Sequence, residues 1–118
     1  MLFRVFTVAD SLDESENICE KLLDRLKKYI NKKKYISNQR YWKIDNIFMV
    51  EINLKLCKKI PQSVLDEFIL SISDKWKTYG NPVNEILISN TIEECNLKNK
   101  KIIMLNVFFQ ESEILNNY

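Results

Sequence analysis

The side chains able to do chemistry in this chain are sixteen carboxylates, eighteen Lys and Arg cations, three thiols and a set of hydroxyls, with no histidine at all. Histidine is the usual proton carrier near neutral pH and the commonest metal ligand. The chain has one glycine, Gly80, whereas loops that close around a phosphate need several. The ordinary routes to hydrolase, metalloenzyme, kinase or dinucleotide chemistry are therefore mostly closed. Serine and threonine have no histidine base and no G-x-S-x-G elbow, and a Ser–Lys pair has nothing to support it. Cys19, Cys57 and Cys95 are an odd number at wide spacing, without a C-x-x-C pair, and read as buried, reduced thiols. The expectation is a non-enzymatic protein with no catalytic residue, no cofactor and no metal, whose role is binding.

Charge offers two binding constellations. Net charge is +2, yet residues 21–59 carry +9 while residues 1–20 carry −4 and residues 60–118 carry −3. The basic set is Lys27, Lys28, Lys32, Lys33, Lys34, Arg40 and Lys43, with Tyr35, Tyr41 and Trp42 nearby. Several cations on one surface release counterions from a nucleic-acid backbone, and aromatics on a sheet can stack bases. The glycine and aromatic signature of RNA-recognition modules is absent, and a solvated helix end explains the run as simply. The acidic set is Asp10, Asp13, Glu14 and Glu16, joined by Glu93 and Glu94 before the last strand and Glu111 and Glu113 after it. A glycosidase would need two such acids facing each other in a cleft, so an acidic docking surface is the functional reading.

The elements follow from periodicity. Leu2–Val8 reads as a strand apolar on both sides except at Arg4 and Thr7, hence central in its sheet. Ser11 and Glu14 form a capping box. After them Ile18, Cys19, Leu22, Leu23, Leu26, Tyr29 and Ile30 make one helical stripe, acidic at its start and basic through Lys34 at its end. From Tyr41 to Cys57 the even positions are apolar, a half-buried strand with Asp45–Asn46 as a turn or bulge. Leu65, Phe68, Ile69, Ile72, Trp76 and Tyr79 predict a second helix stopped by Gly80 at C′. Glu85–Ser89 and Lys101–Phe109 are strands around a polar excursion, and the polar composition of 110–118 favours fraying. Trp42 and Trp76 both read as core residues.

This gives one domain over 1–118 of α+β class, a two-layer α/β sandwich in the order β-α-β-α-β-β. An antiparallel or mixed sheet of about four strands would carry two helices on one face, with a ferredoxin-like arrangement as the first topology. The last strand sits badly at a ferredoxin-like edge, being apolar on both sides. It is either central, or covered by the tail or by a second molecule. No apolar run approaches the roughly 20 residues of a bilayer span, and the start of the chain does not read as a signal peptide. The expectation is a cytoplasmic protein with no membrane partner.

The residues Trp76-Lys77-Thr78-Tyr79-Gly80, Glu85-Ile86-Leu87-Ile88-Ser89-Asn90 and Lys101-Ile102-Ile103-Met104-Leu105-Asn106-Val107-Phe108-Phe109 carry a resemblance. Over roughly residues 63–109 the chain is similar to small bacterial immunity proteins, the antitoxins of contact-dependent growth inhibition and related polymorphic toxin systems. The resemblance implies tight 1:1 inhibition of a cognate toxin domain, often a nuclease, by a protein without catalytic residues. Inhibitors of basic nucleases tend to be acidic. At +2 overall, this chain would use one acidic face, drawn from Asp10, Asp13, Glu14 and Glu16 or from Glu93, Glu94, Glu111 and Glu113. The rival reading is a nucleic-acid-binding regulator using the basic surface around residues 27–43. A third is a homo-oligomer paired through the apolar last strand.

Overall fold

A computed structural model of the chain describes residues 1–93 and 95–116. Strand β1 (Leu2–Val8) leads into helix α1 (Leu12–Leu23), a 3-10 turn over Asp24–Tyr29, and the hairpin strands β2 (Ile30–Arg40) and β3 (Ile47–Leu56). The short β4 (Ile60–Pro61), helix α2 (Gln62–Leu70), β5 (Lys77–Tyr79), β6 (Glu85–Ser89), β7 (Ile102–Phe108), a second 3-10 turn and β8 (Ile114–Leu115) follow. Six strands form one antiparallel sheet in the order β2-β3-β1-β7-β6-β5, while β4 and β8 pair in parallel beside it. This overturns the four-strand α/β sandwich and its ferredoxin-like order. Among the described residues the molecule is mostly sheet, with two α-helices of twelve and nine residues.

Both corrections to the helices have local causes. The α1 stripe buries Cys19, Leu22 and Leu23, but the backbone tightens to 3-10 geometry at Asp24, and Leu26 and Tyr29 are buried from that turn. The lysine run expected at the helix end instead lies on β2, an edge strand. Lysine on an edge discourages pairing with another chain. Helix α2 stops at Leu70, where Ser71 Oγ donates to the Phe68 carbonyl and Ser73 Oγ to that of Lys75. Such short side chains compete for the helical backbone. Trp76 and Tyr79 are thus not on a helix stripe. Gly80, with φ 98°, belongs to the β5–β6 turn, where an added Cβ would come within 2.5 Å of Asn84 Oδ1.

The termini are also better tied than their composition predicts. Glu113 accepts from the buried Met1 ammonium at 2.7 Å and caps the backbone of Gln110 at 2.9 Å. Residues 114 and 115 then pair with β4, so the tail through 116 is not frayed. The last expected strand lies inside the sheet, between β1 and β6, which resolves its two-sided apolar character in favour of a central position.

The core lies on one side of the sheet. Phe3 and Val5 of β1 stand opposite Ile52 and Val50 of β3 and Val107 and Leu105 of β7. Leu22, Leu23, Leu65, Phe68 and Ile69 of the helices close over them, with the Phe3 and Phe68 rings 5.7 Å apart. A buried Thr7–Ser15 hydroxyl pair at 2.8 Å ties α1 to β1. Among the described residues no helix is long and apolar enough to cross a membrane.

Candidate binding face

The opposite side of the sheet carries no helix among the described residues. Because side chains alternate across a strand, it is built from Leu2, Arg4, Phe6 and Val8 of β1, Met49 and Glu51 of β3, Met104, Asn106 and Phe108 of β7, and Glu85 and Leu87 of β6. All but Asn106 are half-exposed. Across its middle runs a polar row. Arg4 reaches Glu51 at 3.4 Å on one side and faces Asn106 on the other. Asn106, only 4% exposed, donates through Nδ2 to Glu85 at 3.1 Å. The Arg4 guanidinium also lies 5.5 Å from the Phe108 ring centroid.

The apolar part of the face continues onto the β2–β3 hairpin. Phe6 meets Tyr41 edge-on at 5.2 Å, and Tyr41 lies 6.3 Å from Trp42. Trp42 is 83% exposed and Ile44 52%, so the expectation of a core Trp42 is corrected. The apparent alternation from Tyr41 to Cys57 crosses a real break at Asn46, whose φ is +61°. Ahead of that break the apolar side chains belong to a loop and point away from the core. Trp76, by contrast, packs partly buried against the core cluster.

Of the two acidic sets offered as alternatives, the first is brought together at one end of the sheet, while the described members of the second are split between its two ends. Asp10, Asp13, Glu14 and Glu16 surround the start of α1, and Glu93 lies in the β6–β7 connection at the same end. Glu111 and Glu113 lie at the Met1 end, where Glu113 is engaged by the Met1 ammonium. Glu94 lies outside the described residues. Glu14 accepts from the Asp10 amide and pairs with Lys101 at 3.3 Å, and these two contacts hold its carboxyl below the ordinary range. Its geometry completes the predicted cap, since the Glu14 amide donates to Ser11 Oγ at 3.1 Å.

The expected basic set is not one surface. Lys27 sits 3.7 Å from Asp24, and Lys33 is bound by Glu20. Arg40 stacks over Phe48 and Lys43 over Trp42 at the hairpin end, far along β2 from Lys28 and Lys32. Burial pulls the Glu20 carboxyl upward, but hydrogen bonds from Lys33 and Tyr35 outweigh it and hold the group below its usual value. Burial beside the same carboxylate pushes the Tyr35 hydroxyl far up.

The thiols separate too. Cys19 is buried, and desolvation pushes it up to about 12, so it is inert. Cys57 is exposed and Cys95 half-buried, which corrects the reading of three buried thiols. No group of three or more Cys, Asp or Glu side chains among the described residues could hold a metal ion.

The face escaped sequence reasoning because its residues come from four strands and a loop, brought together by pairing register. The available signal was the second apolar side of β1 and β7. Compared with protein-family models, curated proteins and solved structures, the chain matches none.

Proposed function

We propose that this chain is a non-enzymatic protein-binding domain that acts by occupying a partner through the helix-free face and the Trp42 hairpin. One observation carries the reading. The face gathers Arg4, Phe6, Tyr41, Trp42, Met49, Met104 and Phe108, and the cores of protein–protein interfaces are enriched in these same residue types, aromatics, Met and Arg. Met side chains adapt to a partner's shape, and Trp, Tyr and Arg are enriched among binding hot spots. The resemblance over residues 63–109 supports a specific form of this activity, stoichiometric 1:1 neutralisation of a cognate toxin domain. In that form the face, and not either acidic set, makes the principal contact.

The test is affinity capture from the native host at about 0.15 M salt with nuclease treatment, run beside a Trp42→Ala/Met49→Gln variant. The expected result is one stoichiometric protein retained by the wild type and lost by the variant, with growth rescued when that protein's toxic domain is co-expressed with the wild type. Equal retention by the variant, or turnover of a substrate by the purified chain alone, overturns the reading.

A further inference from the structure

The Met1 end of the sheet holds a cation cluster that β2–β3 pairing assembles from two distant segments. Lys32 stands directly opposite Lys55 in the register, on the helix-free side, and Lys34 follows two residues along β2 opposite Asn53. Opposed like charges on a sheet are destabilising, and neither lysine has an ion pair among the described residues. At the adjoining corner the Cys57 amide donates to the Tyr29 carbonyl at 2.9 Å. That contact sets Lys28 and Lys58 over one Tyr29 ring, 5.3 and 5.1 Å from its centroid. Lys55, Lys58 and Lys59 line a groove of about 520 Å³ together with Asn53, Ser112 and Glu113. Of the carboxylates nearby, Glu113 is engaged by the Met1 ammonium and Glu51 by Arg4.

We propose that this corner, comprising Lys28, Lys32, Lys34, Lys55, Lys58 and Lys59, binds the phosphate backbone of single-stranded nucleic acid. The charge calls for an anion. Lysine is depleted in protein–protein interfaces, whereas clustered amines are what neutralise successive phosphates. The cations turn from the flat sheet face into the groove at its end. A flexible single strand follows that bend, while a duplex, stiff over about 150 base pairs, does not. The corner does not depend on the protein-binding reading. It lies at the opposite end of the sheet from Trp42 and excludes Lys33, Arg40 and Lys43.

The test is fluorescence anisotropy on the purified chain with labelled single-stranded RNA, single-stranded DNA and duplex DNA of about 20 nucleotides, from about 50 to 200 mM salt. About four phosphate contacts predict a roughly 50-fold loss of single-strand affinity over that range, with the duplex weaker throughout. Lys32→Gln/Lys55→Gln/Lys58→Gln removes up to three contacts, lowering affinity at the lowest salt by at least about tenfold and flattening the salt slope by about 2. Its thermal midpoint should equal or exceed that of the wild type, because a repulsive pair is gone. Lys75→Gln/Lys77→Gln/Lys100→Gln carries the same change of net charge away from the corner and should stay within about threefold of wild type. Equal losses in the two triples, no binding at the lowest salt, or equally effective displacement by polyglutamate would each overturn the proposal.

Discussion

The two sides of one sheet, made by alternate residues of the same strands, have opposite characters. On the covered side Phe3, Val5, Leu105 and Val107 are wholly buried beneath two helices. On the other, Arg4, Phe6, Met104 and Phe108 are only partly buried, and a polar row crosses the apolar ground. Both sides are rich in large apolar side chains, so hydrophobicity alone does not separate core from surface here. What separates them is the admixture. The covered side is nearly all aliphatic and aromatic, with one satisfied hydroxyl pair, whereas the open side mixes Met and aromatics with Arg, Asn and Glu. The first composition specifies a fold, and the second leaves groups for another molecule to meet.

The sharpest break of this comparison is between neighbours on β7. Leu105→Ala empties a fully buried position and should cost about 3 kcal/mol or more. Met104→Ala, one residue earlier and half-exposed, should cost about 1 kcal/mol. Urea unfolding of the two variants measures the difference, and equal losses would mean that the open side is structural core.

Next in size is Trp42→Ala, which should leave stability within about 0.5 kcal/mol while weakening partner binding by about 2 kcal/mol. Calorimetric titration against the captured partner checks it. A variant that binds as well as wild type would move the anchor elsewhere on the face.

The thiols repeat the contrast between covered and open at smaller scale. At pH 8 Cys57 should be alkylated quickly, Cys95 more slowly, and Cys19 only on unfolding, since its thiol is buried and pushed up to about 12. Mass spectrometry of a timed alkylation reads the order, and early labelling of Cys19 would show that α1 opens readily.

The smallest effect concerns the contact between α1 and the edge strand. In the fold Glu20 titrates below its ordinary value of 4.5, because its bonds to Lys33 and Tyr35 outweigh burial. Its contribution is therefore complete above about pH 4.5 and disappears as pH falls through the lower folded value. Glu20→Gln should flatten part of the stability loss between about pH 5 and 3. An unchanged acid limb in thermal melts would assign that loss to other carboxylates.

Strands β1, β6 and β7 were legible because continuous apolar runs leave little choice of element, and the Ser11–Glu14 cap was legible because its chemistry is local. Strand β2 was not. Its lysines continue an amphipathic helix smoothly in sequence, and only the unpaired edge of β3 decides that Lys32–Arg40 extend. The second helix was overextended for a related reason: Ile72 and Trp76 keep helical spacing after Ser71 and Ser73 have diverted the backbone. The candidate site lay furthest from view. Which residue of β3 or β7 stands beside Arg4 is a matter of register, and register is settled by the packed sheet as a whole. The acidic residues were conspicuous in the sequence, and folding gathers Asp10, Asp13, Glu14 and Glu16 at one end while it separates Glu93 from Glu111 and Glu113.

The placement of β7 at the centre, hydrogen-bonded to the very first strand, has a consequence for synthesis. Arg4 and Phe6 wait for Asn106, Met104 and Phe108, which leave the ribosome almost a hundred residues later. Neither side of the sheet is complete before then. Pairings of such long sequence separation fold slowly, and the nascent chain meanwhile exposes unpaired strand edges to aggregation. Under the proposed binding role, a copy terminated before β7 would lack Met104, Asn106 and Phe108 from the face.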